Sequence, residues 1–347
     1  MGEKKRITIK DIANVLKISP AAVSKALHDD SRISAKTKAA VKRVAKELNY
    51  QPNHLASALR KGKSNLVGVI VPKTNSNFFS SVVENMESVL NKAGYNIIIT
   101  QSNESFEKEC RNIDTLLFTQ VDGIIASMAN ETVDLSHYEK IKSKGIPLIL
   151  FDRGENDLNV DYIGIDDYQS SHMIVEHLIS KGCKRIAHIG GFRRTRIYNN
   201  RIRGYIDAIH KHHLPQDDVL LIESNLDLED GRIKMKELLA LDHPPDAVYV
   251  ASDYAALGAL QVLNEQHIKV PEEICLVGFG NEPFTSLVSP TITTVSQHSK
   301  QIGKIAAETF LKRINTKNWK PKLDKNILKS ELIVRDSSNR DLSIKSS

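Results

Sequence analysis

Between Thr8 and Leu16 the apolar residues Ile9, Ile12, Ala13 and Leu16 fall at the i, i+3, i+4, i+7 spacing of one helix face. Thr8 precedes the pattern and Asp11 sits in its first turn, the cap and the acidic residue that a helix start favours. Ser19-Pro20 opens a second helix, because a serine oxygen accepts from free N–H groups and a proline at the first helical position has no N–H to satisfy. That helix runs to about Leu27 and carries Ala21, Lys25 and His28 on one face. A third start at Ser34 is followed by Val41, Val44, Ala45 and Leu48 on one face, enough to close a three-helix core. Two short helices joined by so tight a turn predict a helix-turn-helix, whose second helix can enter a major groove. After the break at Asn49-Tyr50-Gln51-Pro52, residues 53–60 predict a helix too short to be stable alone, so its folding depends on a partner.

From Leu66 onward the pattern changes. Apolar runs at 66–71, 96–100, 123–126, 147–151, 185–190, 247–250 and 274–279 alternate with amphipathic helical stretches. Continuous apolar runs of this kind predict parallel strands covered on both faces, and about 280 residues of them predict two doubly wound lobes. Ligands of such sheets bind beyond the carboxyl ends of the strands. The residues there are Asn77, Phe78 and Phe79 after the first run, Asp152 and Arg153 after the fourth, then Ser252 and Asp253, and Asn281 after Gly278-Phe279-Gly280. For Asp152, a helix cap or a surface ion pair is the plainer alternative to a ligand contact.

Composition sharpens this division. Residues 1–63 hold 15 Lys and Arg against 5 Asp and Glu, whereas the rest of the chain holds 33 against 37. Positive charge gathered at one end is the footprint of a nucleic-acid-binding head on a body that does not touch the polyanion. No run of roughly 18 apolar residues occurs and the first ten residues lack an apolar signal segment, so a cytoplasmic protein with no membrane partner is expected. Cys110, Cys183 and Cys275 are far apart in sequence and odd in number, which fits buried reduced thiols. No cofactor or metal is expected. Gly62-Lys63-Ser64 lacks the first glycine of a phosphate-binding loop, Gly278-Phe279-Gly280 lacks the third glycine of a dinucleotide fingerprint, and His210, His212 and His213 have no second ligand group at metal spacing.

The run Thr8, Ile12-Ala13, Ile18-Ser19, Val23-Ser24, Leu48-Asn49-Tyr50, Pro52-Asn53 and Ala56 to Leu59 resembles the DNA-binding head and hinge of the LacI/GalR (lactose-repressor) family, and the likeness continues through the chain. It implies an all-α helix-turn-helix head plus hinge helix, followed by an α/β periplasmic-binding-protein-like domain of two parallel-sheet lobes. The implied division is a DNA-binding domain at 1–50, a hinge at 51–63 and an effector-binding and dimerisation domain at 64–347. Within the last, one lobe takes about 64–161 and 294–325, the other about 162–293 and 326–347. The implied function is a homodimeric transcription regulator, a repressor, whose affinity for a pseudo-palindromic DNA operator is set by a small effector, a sugar or sugar derivative.

By the same resemblance the DNA contacts are Thr8, Ser19, Pro20, Ala21, Ala22, Ser24, Lys25 and His28, with Pro20, Ala21 and Lys25 at the bases and Ser24 and His28 nearer the phosphates. Asn53, Leu59 and Arg60 belong to the hinge, where Leu59 wedges between central base pairs; a helix–helix contact is its simpler alternative. The family's ligand-clamping arginine falls on Arg201, which completes an effector set of Asn77, Phe78, Phe79, Asp152, Arg153, Arg201, Asp253 and Asn281. This chain departs from the family in having Lys25 and Ala22 where arginine and threonine are common, Gly280 in place of an aspartate, and His298 in place of a proline. The first alters base preference, and the loss of a carboxylate at 280 leaves modified, anionic and non-sugar effectors open. The alternative classes are a solute-binding protein, which would not carry the basic head, and a sugar-converting enzyme on a related fold, which would need an acid/base pair.

Overall fold

A computed structural model describes residues 7–50, 63–316 and 324–340. The chain forms two compact units, 1–64 and 65–347. In the first, α1 (Ile9–Leu16), α2 (Pro20–Leu27) and α3 (Ala35–Glu47) start where the caps predict. The Asp11 carboxylate accepts from both the Thr8 N–H and the Thr8 hydroxyl (2.7 Å each), Ser19 Oγ accepts from Ala22 N–H (3.1 Å), and Ser34 Oγ from Thr37 N–H (3.2 Å). Lys17 closes α1 in the left-handed conformation (φ 51°), which turns the chain sharply into α2. Ile12, Ala13, Val23, Ala26, Val41 and Val44 form the buried core of this unit. Asn53, Leu59 and Arg60 lie outside the described residues.

The second unit contains two parallel sheets. The larger has the order β11-β5-β4-β3-β1-β2, from β1 (Leu66–Val71), β2 (Asn96–Gln101), β3 (Gly123–Ala126), β4 (Leu148–Phe151), β5 (Asp161–Ile165) and β11 (Lys325–Leu328). The smaller has the order β7-β6-β8-β9, from β6 (Ile186–Gly190), β7 (Leu221–Glu223), β8 (Ala247–Val250) and β9 (Cys275–Val277). Each sheet is covered on both faces by helices that bury apolar side chains against it. A short antiparallel ribbon, β10 (Thr294–Ser296) with β12 (Glu331–Ile333), accompanies the return crossings between lobes. The first lobe's sheet reaches past residues 161 and 325, since β5 pairs with β4 on one side and β11 on the other.

Helices on both lobes frame the site. In the first lobe, α4 (Asn77–Lys92), α5 (Phe106–Phe118) and α6 (Ser136–Ser143) follow β1, β2 and β3; in the second, α7 (Asp167–Ser180), α8 (Arg196–Lys211), α9 (Leu228–Leu239) and α10 (Asp253–Glu265) follow β5, β6, β7 and β8. The strand order reverses at β1/β3 and at β6/β8, so the helix starts and loops beyond the carboxyl ends of those strands collect polar side chains at one rim of each sheet. Cys183 and Cys275, distant in sequence, meet in the second lobe's core: Cys275 and the Arg340 guanidinium both donate to the Pro271 carbonyl, and Arg340 also reaches the Cys183 sulfur (3.6 Å). Both thiols are buried and free.

Candidate functional site

A cavity of about 120 Å³ lies between the two rims. The first lobe contributes Phe78 and Phe79 from the first turn of α4, and Asp152 and Arg153 from the turn after β4. The second contributes Tyr198 and Arg201 from α8, Asp253 at the start of α10, and Phe279, Gly280 and Glu282 after β9. Six of the eight effector residues expected from the sequence thus meet in one space. Asn77 and Asn281 instead line an adjoining groove with Ser80, Glu84 and Lys300. Asn77 is one helical step from Phe78, so its side chain leaves in another direction. Asn281 adopts φ 56° and accepts from Arg335 Nη2 (2.9 Å), which ties it to its own lobe.

Arg201 is almost wholly buried and saturated: Nε and Nη2 reach Asp167 at 2.9 and 2.8 Å, Nη1 donates to the Ala251 carbonyl (3.2 Å), and the guanidinium carbon stands 3.6 Å above the Phe279 ring. Arg153 is held from behind by Glu104 (2.6 Å) and donates a long bond to the Tyr198 hydroxyl across the cleft (3.4 Å). Its Nε has no hydrogen-bond partner among the described residues. Asp152 takes only a long bond from Ser127 Oγ (3.4 Å) and stands 3.9 Å from Arg153 Nε; burial pushes its carboxyl above the usual range despite both arginines. Asp152 also adopts φ 57°, a conformation uncommon for a non-glycine residue and one found at ligand sites.

Asp253 explains the glycines around Phe279. Its carboxylate accepts from Thr294 Oγ1 (2.7 Å) and from the Glu282 N–H (2.8 Å). A Cβ on Gly278 would stand 2.2 Å from Asp253 Oδ1, and one on Gly280 would stand 3.3 Å from Oδ2 in a backbone with φ 135°. An aspartate at 280 would crowd this carboxylate, so the glycine and the position of Asp253 belong together. Complete burial pushes Asp253 up to about 7, against the two hydrogen bonds it accepts. Its folded pKa is raised, so the stability it contributes is full below about pH 4 and is lost as pH rises to about 7. Asp253→Asn should therefore flatten the fall in urea midpoint between pH 5 and 7.5; an unchanged slope would assign that titration elsewhere.

Sequence reasoning missed Tyr198, Glu282 and Gln297. Glu282 is buried and reaches the opposite lobe, where its carboxylate accepts from the Phe78 N–H (3.4 Å) beside Ser76 at the start of α4. A carboxylate suits the exposed N–H groups of a helix start, but no local pattern reveals a cap supplied from so far along the chain. On the other side of the cleft, Arg194 Nε donates to the Asn130 carbonyl (3.2 Å) and Thr195 Oγ1 to the Asn130 side chain (3.3 Å). Glu104 accepts from the Asn130 N–H (2.9 Å) as well as from Arg153, so one carboxylate orients a cavity arginine and an inter-lobe contact.

In the first unit, Ser19, Pro20, Ala21, Lys25 and His28 are exposed, Ala22 and Ser24 are half-buried, and Val23 and Ala26 face the core. The His28 ring is tied back to the Ser24 carbonyl through Nδ1 (2.8 Å). The acidic pair that follows α2 is paired: Asp29 with Lys42 (2.8 Å) and Asp30 with Arg32 (2.7 Å). Thr8, bonded to Asp11, is exposed at the start of α1. Among the described residues no three His, Cys, Asp or Glu side chains are grouped as a metal site, and no helix is long and apolar enough to cross a membrane.

Known proteins share both units. Residues 8–53 match the family described as bacterial regulatory proteins, lacI family, and residues 175–338 match a periplasmic binding protein-like domain. A probable HTH-type transcriptional repressor, ExuR, of Bacillus subtilis is 30% identical over 338 residues, 96% of this chain and 99% of the relative. The chain belongs to the LacI family. It is accordingly a helix-turn-helix transcription regulator with a periplasmic-binding-protein-like α/β domain. The structure of the transcriptional regulator CelR in complex with cellobiose matches with TM-score 0.72 at 26% identity, covering 96% of this chain and 100% of that one. The lac repressor dimer bound to operator and an anti-inducer shares the fold, with TM-score 0.82 at 22% identity over 96% and 99% of the two chains.

Proposed function

We propose that this LacI-family regulator is a homodimeric repressor that grips a pseudo-palindromic operator with two heads and is switched by a carbohydrate bound between its lobes. The observation that carries the switch is the cavity walled by both lobes. A ligand touching both lobes binds the closed and open cleft with different affinity, and only a differential affinity shifts such an equilibrium. Cellobiose in the CelR structure supports the carbohydrate class. In this reading Asp152 and Arg153 meet the ligand from one side and Arg201 and Asp253 frame it from the other, with Phe78 and Phe79 against its apolar face. No catalytic step is assigned to the cleft. The division into a head at 1–50, a hinge at 51–63 and an effector domain beyond is part of the same proposal.

On DNA, the outer face of α2 enters the major groove, where Lys25 donates to a base edge. Lysine is a rotatable point donor, so its preference at that base pair is softer than an arginine fork would give. Operators selected from random duplexes test this. Lys25→Ala should cost roughly ten- to hundredfold in affinity for the selected site and erase preference at one base pair. Equal weakening on every sequence would move Lys25 to the phosphate backbone.

A further inference from the structure

The charge of the cavity narrows the effector beyond its class. Three carboxylates line it, Asp152, Asp253 and Glu282, against two guanidinium groups, Arg153 and Arg201. Both arginines are already engaged by carboxylates behind the lining, Arg153 by Glu104 at 2.6 Å and Arg201 by Asp167 at 2.8 Å. The cavity therefore faces its ligand with carboxylates in surplus over guanidinium groups. Among the described residues Asp152 has only the long bond from Ser127, Glu282 is met by N–H and O–H groups at the start of α4, and the guanidinium N–H left unpartnered is Arg153 Nε; the other donors on the lining, Ser76, Ser252 and Gln297, are neutral.

Resting on the reading of this cleft as the effector site, we infer that the effector is an uncharged or ammonium-bearing polyol, and that uronates and sugar phosphates are excluded. Hydroxyl or ammonium hydrogens satisfy Asp152 and Glu282, which are otherwise buried at a cost. A carboxylate or phosphate brings a further negative charge into a buried space whose two cations are already paired, with one guanidinium N–H and otherwise neutral donors to receive it. Burial already pushes the Asp152 and Glu282 carboxyls above their usual range, the direction expected of carboxylates short of positive partners. Glu282 places a buried carboxylate on the cavity lining two residues beyond Gly280, which supplies none.

The test is a thermal-shift and calorimetric panel on the full chain, with matched sets: glucose, glucosamine, glucuronate and glucose 6-phosphate; galactose, galactosamine and galacturonate; ribose and ribose 5-phosphate; cellobiose and its aldobiouronate. The compounds that raise the midpoint should be neutral or amine-bearing, each binding at least tenfold more tightly than its acidic counterpart. Asp152→Asn and Glu282→Gln should each narrow that gap at least threefold. An acidic member binding as tightly as its parent overturns the inference, as does a gap unchanged in both variants. A panel in which nothing shifts the midpoint sinks the polyol reading of the cleft and the inference with it, an outcome distinct from the binding of an acid.

Discussion

Arg201→Met should destabilise the effector domain by about 3–5 kcal/mol, the usual loss when one partner of a buried ion pair is removed. The magnitude comes from what is left behind: Asp167, almost fully buried, would lose two charge-assisted bonds, and the Ala251 carbonyl would lose a donor. Burial already pushes Asp167 up to about 6 with the arginine in place. Without it the carboxylate takes up a proton more readily, so stability is retained below the folded pKa and lost as pH rises through it. The variant should thus lose more in urea midpoint at pH 8 than at pH 5.5, and adding Asp167→Asn should recover part of the loss at pH 8. A loss below 1 kcal/mol with no pH dependence would show that the pair does not hold α7 against α8. Ligand binding should fall in parallel, because Arg201 fixes the Phe279 ring that forms one wall of the cavity.

Removing residues 1–64 should abolish specific DNA binding, a fall of about a thousandfold or more, and leave the melting midpoint of the remainder and its response to ligand intact. The removed unit holds a core of its own, built from Ile12, Val23 and Val41, and its 15 basic against 5 acidic residues give it more net positive charge than the whole chain's +6. The remaining unit carries a slight excess of acidic residues and has no means of attracting a polyanion. Electrophoretic mobility shift on the selected operator, run across salt concentrations, measures the loss. Persistent specific binding by the truncated protein would place DNA recognition outside the helix-turn-helix.

Much of this architecture was legible because its signals are local. Thr8, Ser19 and Ser34 announce three helices within a few residues of each start, and the apolar runs at β1, β3 and β8 coincide with strands since both faces of those strands are buried. The weak strands were less readable: Asp161-Tyr162-Ile163-Gly164-Ile165 interrupts its apolar run with a carboxylate that pairs with Arg313, and Leu221–Glu223 is only three residues long. The site divides in the same way. Asp152, Arg153 and Asp253 follow directly from the ends of strands. Glu282 and Tyr198 do not, because their roles depend on how two lobes face each other, and Asn77 and Asn281 line the adjoining groove because a single helical step and one left-handed residue turn them from the cavity. The meeting of Cys183 with Cys275 was hidden for the same reason, being a contact between a helix end and a distant strand.

In the proposed function, occupancy of the cavity between the lobes changes the grip of the heads on DNA. Fluorescence anisotropy with the selected operator, titrated with the full chain in the absence and in saturating presence of the compound that most raises the midpoint, measures it directly. The affinity should differ at least tenfold between the two titrations, and the difference should vanish in Arg153→Ala, where the cavity donor and its link through Glu104 to Asn130 are lost. Affinities equal within twofold, with the ligand shown to be bound, would contradict it.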